Sequence, residues 1–490
     1  MDRYDVLIVG AGPGGLAAAR GAQAAGANSI LLLERDRVTG GILNQCIHDG
    51  FGLVRYGARL TGPEYALRAL QEAEESGIEL LTGYHVIHIE AGAGSELAHT
   101  VTAIGPEGLR QIEAGAIVLA TGCRERTRGA ISIPGSRPAG VFTAGVVQNL
   151  VNVRNVMPGK NVVILGSGDV GMIMARRLTL EGAAVKAVVE VLPEPAGLSR
   201  NVSQCLYDFD IPIYCSHTIS RIIGKKKLEA VEVSQLGEDG RPIKGTEWEI
   251  ACDALILSVG LIPENEVAET AGVALDRKTN GVLTDPFLQT NVPGIFSCGN
   301  ARRIMDLADF VSEQGELAGR NAVTYLRQEE MKAWDEARTS SMAKGFPPEG
   351  TVTCTMCPKG CQVKYDEQTG QFTGNGCERG AEFARQERTA PRRFLTTTVR
   401  VAEASHGQAD ETASREQAGD NLIPAGASRG PGLLPVRSRE PIPRQALENA
   451  AFALRDVTVE PPVACGDIIA WVPDGEGGQA AIIATAELGK

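Results

Sequence analysis

Cys354, Cys357, Cys361 and Cys377 are the residues whose type and spacing speak most directly of chemistry. The first three thiols surround Pro358 and Gly360, and the last sits in Gly376-Cys377-Glu378-Arg379-Gly380. Four thiolates are soft ligands and suit a [4Fe–4S] cluster or zinc. Structural zinc usually occupies two separated CxxC knuckles, and this run is not built that way. A [4Fe–4S] cluster is therefore the expectation, with zinc and free or regulatory thiols as alternatives. A cluster also passes single electrons, which zinc cannot.

A second set of residues is built for phosphate. Gly10-Ala11-Gly12-Pro13-Gly14-Gly15 follows the apolar run Val6–Val9, and Glu34 lies twenty-four residues after Gly10. Such spacing reads as strand, tight turn, helix and second strand, the dinucleotide fingerprint. Gly10 permits the turn, Gly12 lets backbone N–H groups approach a pyrophosphate, and Gly15 lets the helix lie against the strand. Glu34 can accept from a ribose diol, and Arg35 and Val86 are counted with this set. The bland alternative is a structural glycine turn.

The unit then repeats. Gly166-Ser167-Gly168-Asp169-Val170-Gly171 follows Asn161–Leu165, and Glu190 again stands twenty-four residues after the first glycine. Two such units imply two dinucleotides that must meet, since a nicotinamide can pass hydride to a flavin. Glu190 would accept from the 2′-OH of NAD. A 2′-phosphate about 4 Å away would be repelled by about 4 kcal/mol at an effective dielectric near 20. NAD is thus favoured over NADP unless Lys186 or Arg200 intervenes; the alternative is that Glu190 is a solvated strand end.

The elements that must position these residues follow from the pattern. Helices are expected to about Ala25, from Pro63 to Ser76, to about Glu181, from about Asp309 to Arg327, and near Arg444 to Leu454. Short antiparallel strands are expected from Glu79 to Ile112 and around Leu228 to Glu249. Ala116–Leu119 should be a buried strand ending at Thr121-Gly122, with counterparts at Ala254–Ser258 before Gly260 and at Gly294–Asn300. C-terminal strands are expected around Asp467–Trp471 and Ala480–Thr485. The fold class is α/β: two Rossmann-like units plus a small cysteine-containing α+β C-terminal domain. Expected domains are 1–150 with 270–330, 151–269, a linker over 331–350, and 351–490, with a disordered insertion at 402–432.

Composition narrows the function classes. The chain has 490 residues, a net charge of −12, 43% hydrophobic residues and eleven cysteines. The acidic balance argues against nucleic acid as a partner. No apolar run is long enough for a transmembrane span. No signal-peptide pattern is read at the start, so a cytoplasmic setting is expected, in which cysteines serve metal or redox chemistry. Cys205, Cys215, Cys252 and Cys465 carry no spacing signal, and Cys123 and Cys298 read as structural thiols at strand ends. Before Cys354 there is no CxxC or CxxxxC pair, and Cys46 stands alone near His48. That weighs against thiol–disulfide exchange; Cys46 and His48 read first as packing.

Residues 4–330 resemble the two-dinucleotide-binding flavoproteins such as thioredoxin and glutathione reductases. The resemblance implies FAD at Gly10, Gly12, Gly15, Glu34, Gly41, Thr121, Gly122, Gly299 and Asn300, with NAD(H) on the inserted unit. That family usually has Asp where this chain has Asn300, whose amide can still hydrogen-bond the ribityl chain. More closely, Gly40-Gly41-Ile42-Leu43-Asn44-Gln45-Cys46-Ile47-His48, Ala120-Thr121-Gly122-Cys123-Arg124-Glu125-Arg126 and Ser258-Val259-Gly260-Leu261-Ile262-Pro263-Glu264-Asn265 resemble the flavoprotein subgroup beside anaerobic glycerol-3-phosphate dehydrogenase and related amine or opine dehydrogenases. The cysteine run resembles the N-terminal cluster domain of molybdopterin oxidoreductases, and the C-terminal part looks like the small CxxC protein that accompanies the flavoprotein. These resemblances imply an oxidoreductase exchanging hydride with NAD(H) and electrons, through the cluster, with a partner flavin dehydrogenase, glycerol 3-phosphate being its expected substrate. The rivals are a disulfide reductase using the C-terminal cysteines and a flavoprotein with a zinc-bound docking domain. Oligomeric state is not legible.

Overall fold

A computed structural model describes residues 2–75, 77–92, 99–339, 342–402 and 432–489. The first unit is built on one sheet of seven strands. Asp2–Val9 lies between Ile30–Glu34 and Gly108–Leu119, parallel to both, with Val6 opposite Ile30 and Ala116. Ile295–Ser297 adds to the far side of Gly108–Leu119, bringing a distant stretch back to the centre. Val6, Leu7, Ile8, Leu31, Leu32, Ile117 and Val118 are buried, as strands covered on both faces must be.

Two differences from the expected strands have physical causes. Glu79–Thr82 pairs parallel with Leu31–Glu34, not antiparallel, because the helix Gly62–Glu74 carries the chain back along the sheet between the two strands. Gly108–Leu119 is one strand of twelve residues where a break was expected between Ile112 and Ala116. Its first half carries the antiparallel meander with His99–Gly105, and its second half joins the parallel centre. Residues 402–432 were expected to form a disordered insertion; 403–431 lie outside the described residues.

Helix Pro13–Ala24 packs on Ala308–Leu326 through glycines. A Cβ on Gly21 would come within 2.0 Å of Glu316 O, one on Gly315 within 2.1 Å of Gly14 O, and one on Gly319 within 1.9 Å of Ala18 O. Close backbone approach explains why eight of the twelve residues of the first helix are Gly or Ala.

The second unit carries a parallel sheet ordered Val141–Thr143, Ala254–Leu257, Asn161–Leu165, Ala184–Val189, Ile213–Tyr214. It takes in Val141–Thr143 and the helix Ala144–Asn152, ahead of the expected start at 151. An antiparallel set, His217–Gly224, Leu228–Gln235 and Trp248–Ala251, covers one face; the first of these was not anticipated. Cys123–Glu125 pairs with Leu261–Pro263 where the chain passes between the units.

Residues 331–350, expected as a linker, are tied down where described. Trp334 N donates to Pro286 O at 2.8 Å, Ser199 N to Ala343 O at 3.1 Å, and Gly345 N to Gly197 O at 3.3 Å. Beyond them, Thr351–Thr353, Gln362–Tyr365 and Phe372–Thr373 form a small sheet, followed by the helix Glu378–Thr389. A five-stranded sheet of Thr458–Val459, Thr396–Val401, Leu433–Ser438, Gln479–Ala484 and Ile468–Pro473 carries the helix Leu447–Leu454. Its core includes Leu395, Val436 and Ile482, and Leu180 of the helix Asp169–Leu180 joins it from the second unit. No helix among the described residues is long and apolar enough to cross a membrane.

Candidate functional site

The two glycine turns have the same geometry. Gly10 has φ +100° and its Cβ would lie 2.6 Å from Ala120 O; Gly166 has φ +95° and its Cβ would lie 2.2 Å from Ser258 O. At both positions only glycine can turn the chain over the end of the neighbouring strand. A Cβ on Gly15 would stand 1.7 Å from Gly10 O, and one on Gly171 would meet Ser258 at 2.6 Å and Gly166 O at 3.0 Å. The tight positions are therefore the first and last glycines of each motif. Gly12, the middle one, faces nothing within 4 Å.

Gly12 and Gly168 are the N-caps of helices Pro13–Ala24 and Asp169–Leu180, and neither helix has a side-chain cap. The first N–H groups of Pro13–Ala24 and the positive end of its dipole are left for an anion, whereas in Asp169–Leu180 Gly171 N already donates to Ser258 Oγ at 3.1 Å. Pro13 takes the first helical position, where its missing N–H is no loss.

The two acids also match. Glu34 Oε2 accepts from Ala11 N at 2.7 Å and Oε1 from Asp36 N at 2.8 Å. Glu190 Oε2 accepts from Ser167 N at 2.8 Å and Oε1 from Leu192 N at 2.9 Å. Each carboxylate thus clamps its glycine turn to the end of the second strand. Burial pushes the Glu34 carboxyl above its ordinary value, and the N–H groups of Asp36 and Ala11 draw it back. Ser167 Oγ also donates to Glu190, at 2.5 Å, an interaction missed from the sequence because nothing distinguished that serine.

The other expected residues gather around these turns. Gly40 N donates to Ala11 O at 2.8 Å, and a Cβ on Gly41 would lie 3.2 Å from Gly12 Cα. Thr121 Oγ1 is buried without a partner beside Gly122, which has φ +74° and open space where a Cβ would be. Thr39 Oγ1, just before the Gly40-Gly41 pair, is buried and unpartnered too, and was not picked out from the sequence. Gly299 N donates to Gln314 Oε1 at 2.8 Å, while Gln314 Nε2 is buried and unpartnered. Asn300 is used within the protein: Oδ1 accepts from Met305 N at 2.9 Å and Nδ2 points to Cys123 Sγ at 3.5 Å. Arg35 pairs with Glu264 at 2.9 Å, and Val86 is buried in the core of the first unit. Asp169 accepts from Leu198 N at 2.8 Å and Asn201 Nδ2 at 2.7 Å, Val170 packs in the core of the second unit, and Gly260 has φ +106°. The open faces of Gly12 and Gly122, the uncapped helix start and the unpartnered hydroxyls of Thr39 and Thr121 fit an extended diphosphate cofactor in the first unit, and the second unit repeats its glycine turn and clamping acid.

Cys46 is buried, and burial pushes its thiol up to about 12. It approaches Gln148 Oε1 at 3.6 Å and has no second thiol with it; all eleven cysteines are free. The C-terminal thiols form one neighbourhood. Cys354 N donates to Cys361 O at 2.8 Å, and Cys377 caps the helix Glu378–Thr389. Burial raises the Cys354 thiol, and the negative charges of Cys357, Cys361 and Cys377 raise it further. The Gly380 N–H and Arg379 lower Cys377. The donor chemistry suits a soft metal, yet no group of three His, Cys, Asp or Glu among the described residues stands in metal-holding geometry.

Comparisons with known proteins agree with this fold. Residues 428–486 match a family described as a protein of unknown function, over the C-terminal sheet and not the four cysteines. An opine oxidase polypeptide of Agrobacterium tumefaciens is 28% identical over 345 residues, 66% of this chain and 66% of that protein. Thioredoxin reductase of Listeria innocua is 27% identical over 343 residues, 69% of this chain and 98% of that one. The crystal structure of Lactococcus lactis thioredoxin reductase superposes with a TM-score of 0.55 at 23% identity, covering 66% of this chain and 99% of that one. The T. acidophilum thioredoxin reductase gives 0.54 at 22%, covering 67% and 99%. The fold is therefore that of thioredoxin reductase, with a small sheet-rich domain added. Residues 4–315 match the pyridine nucleotide-disulphide oxidoreductase family, and the chain belongs to it.

Proposed function

We propose that this chain is an FAD-dependent oxidoreductase that exchanges hydride with NAD(H) and passes electrons through a C-terminal [4Fe–4S] cluster. Its partner would be a second flavin dehydrogenase, one acting on glycerol 3-phosphate. FAD, when bound, supplies two-electron exchange with nicotinamide and one-electron exchange with a metal centre. Gly10, Gly12, Pro13, Gly14 and Gly15 would hold its diphosphate on backbone N–H groups, with Glu34, Arg35 and Val86 toward the adenosine. Gly41, Thr121, Gly122, Gly299 and Asn300 would line the remainder. Gly166, Gly168, Asp169, Val170, Gly171, Glu190 and Gly260 would hold NAD in the same manner. Cys354, Cys357, Cys361 and Cys377 would ligate the cluster.

The observation that carries the reading is the pair of matching glycine turns, each clamped by a buried glutamate, with a solitary protonated Cys46 in place of a redox pair. A thiol raised to about 12 is not a nucleophile near neutrality. NAD over NADP is supported by Arg200, whose guanidinium packs on Gly50 of the first unit. Among the described residues no cation pairs with Glu190. The likeness to one polypeptide of an opine oxidase supports a partner-dependent enzyme.

One observation favours a different reading. Cys377 is exposed, lies at a helix N-terminus and has a lowered thiol, which suits a disulfide reductase working from the C-terminal cysteines. Anaerobic NADH addition to purified protein separates the two. Bleaching of the flavin that survives alkylation and the Cys377→Ser change supports hydride entry without thiols. Loss of dye reduction after alkylation, with full activity after iron chelation, supports the reductase. No bleaching by NADH contradicts both.

A further inference from the structure

One edge of the C-terminal sheet is open, apolar and acidic. Ile468–Pro473 ends the five-stranded order, bonded to Gln479–Ala484 on one side and, among the described residues, to no strand on the other. Ile468 stands opposite Ile483 and Trp471 opposite Ala481, so these two side chains share a face of the sheet. Val472 turns to the other face and packs into the core with the helix Leu447–Leu454. Ile468 is 48% exposed and Trp471 57%. Lysine, a common guard of a free edge, is absent from this strand. A register shift between Ile468 and Ala470, and Pro473 at the end, shorten the open run. Backbone pairing there is too brief to hold another chain alone, so side chains must add to it.

The charge around this edge is one-sided. From Asp456 to Lys490 the chain carries Asp456, Glu460, Asp467, Asp474, Glu476 and Glu487 against Lys490 alone. Glu460 and Asp467 line an open groove of about 380 Å³ with Val459, Val463, Ile468 and Ile469. Asp467 is held by Ala464 N at 2.8 Å, and Asp474, just past the strand, by Glu476 N and Gly478 N at 2.9 Å. Glu476 pairs with Arg392, whereas Glu460, Asp467 and Asp474 form no ion pair among the described residues. Apolar walls beside unpaired carboxylates complement apolar side chains that alternate with cations.

We propose that this edge takes up an extended basic segment of a partner protein as an added strand. Alternate side chains of a strand point to opposite faces. One set of the incoming segment lies against Ile468 and Trp471, and the other brings lysine or arginine to Glu460 and Asp467. Main-chain bonds to Ile468–Pro473 supply the rest of the affinity. The site is separate from both glycine turns and from the four cysteines, and it stands whether or not a cluster forms on them.

Fluorescence anisotropy of a short labelled peptide alternating lysine with valine, titrated with the full chain, tests it. The expected result is a saturable rise at low salt that weakens as salt is added. Peptides alternating glutamate with valine, or lysine with glycine, should give no rise. Methylating every backbone N–H of the lysine–valine peptide should abolish binding, since an added strand needs those donors. Trp471→Ala, and Glu460→Gln together with Asp467→Asn, should each weaken binding at least about fivefold. Leu109→Ala, which removes a similarly exposed apolar side chain from the first unit, should leave it unchanged. Should Trp471→Ala fail to fold, Ile468→Ser takes its place with the same expected loss. No saturable rise, equal binding of the lysine–glycine or methylated peptide, or unchanged binding in the Trp471 and acid variants would each overturn the proposal. Self-association that Trp471→Ala abolishes, with the peptide unbound, would overturn it too and give the edge to a second copy.

Discussion

At the residue scale, Glu190 and His48 make the sharpest statements. Glu190 accepts from the turn N–H, from Ser167 Oγ and from Leu192 N, so its charge is fixed where the adenosine ribose of the second cofactor would lie. A phosphate there meets a repulsion of up to about 4 kcal/mol. Steady-state assays should therefore show NADH preferred over NADPH by at least about tenfold. Glu190→Gln should narrow that ratio mainly by raising kcat/KM for NADPH; an unchanged ratio would remove Glu190 from nicotinamide choice. His48 is held below its ordinary value, first by burial and then by Arg200 and Arg176, against the pull of Asp49. The unfolded chain then binds the proton more readily, so stability rises with pH through this window and falls as pH drops below about 6.5. His48 is part-exposed, so the effect should be on the order of 1 kcal/mol. Melting temperatures measured down to pH 4.5 should show a flatter acid limb for His48→Gln than for the parent.

At the scale of elements, backbone contact is what only glycine allows. Gly319→Ala puts a Cβ 1.9 Å from Ala18 O between two long helices. Overpacking of this kind destabilises by about 1–3 kcal/mol or more, and flavin retention should fall with it. Gly129→Ala, whose Cβ would meet only Thr127 Oγ1 at 3.7 Å, should stay within about 0.5 kcal/mol in the same denaturation assay. The motif glycines were legible because Gly10, Gly12 and Gly15 recur as Gly166, Gly168 and Gly171 with an acid at fixed spacing. Gly315 and Gly319 carried no such sign, since a helix gives no hint of which backbone will press on it. Glu79–Thr82 looked antiparallel because its alternation says nothing of direction; the preceding helix decides that. Thr39 and Gln314 stayed hidden for a related reason: an unpartnered polar atom is a property of three-dimensional neighbours, not of residue type.

At the scale of the whole molecule, the C-terminal sheet is fastened to both units. Arg177, 5% exposed, reaches Asn152, Glu181, Thr397 and Thr398, and Arg437 meets Glu64 of the first unit at 3.1 Å. Arg177→Ala takes from Glu181 its cation and from Thr397 and Thr398 their donor, leaving Glu181 only the Thr397 hydroxyl, a loss of about 2–3 kcal/mol for a half-buried pair. Limited proteolysis should then release the C-terminal segment far faster than in the parent, while NADH still bleaches the flavin. The sequence marked this region by its cysteines and by the strands around Asp467–Trp471 and Ala480–Thr485, but hid Thr396–Val401 and Leu433–Ser438, which pair across residues 403–431. The central claim is that hydride from NADH reaches a flavin wired to a cluster on the four C-terminal thiols. Anaerobic purification followed by an absorption spectrum with iron, sulfide and zinc analysis tests it most directly. The account predicts flavin bands with about four iron and four sulfide per chain; flavin with stoichiometric zinc and no sulfide would contradict it.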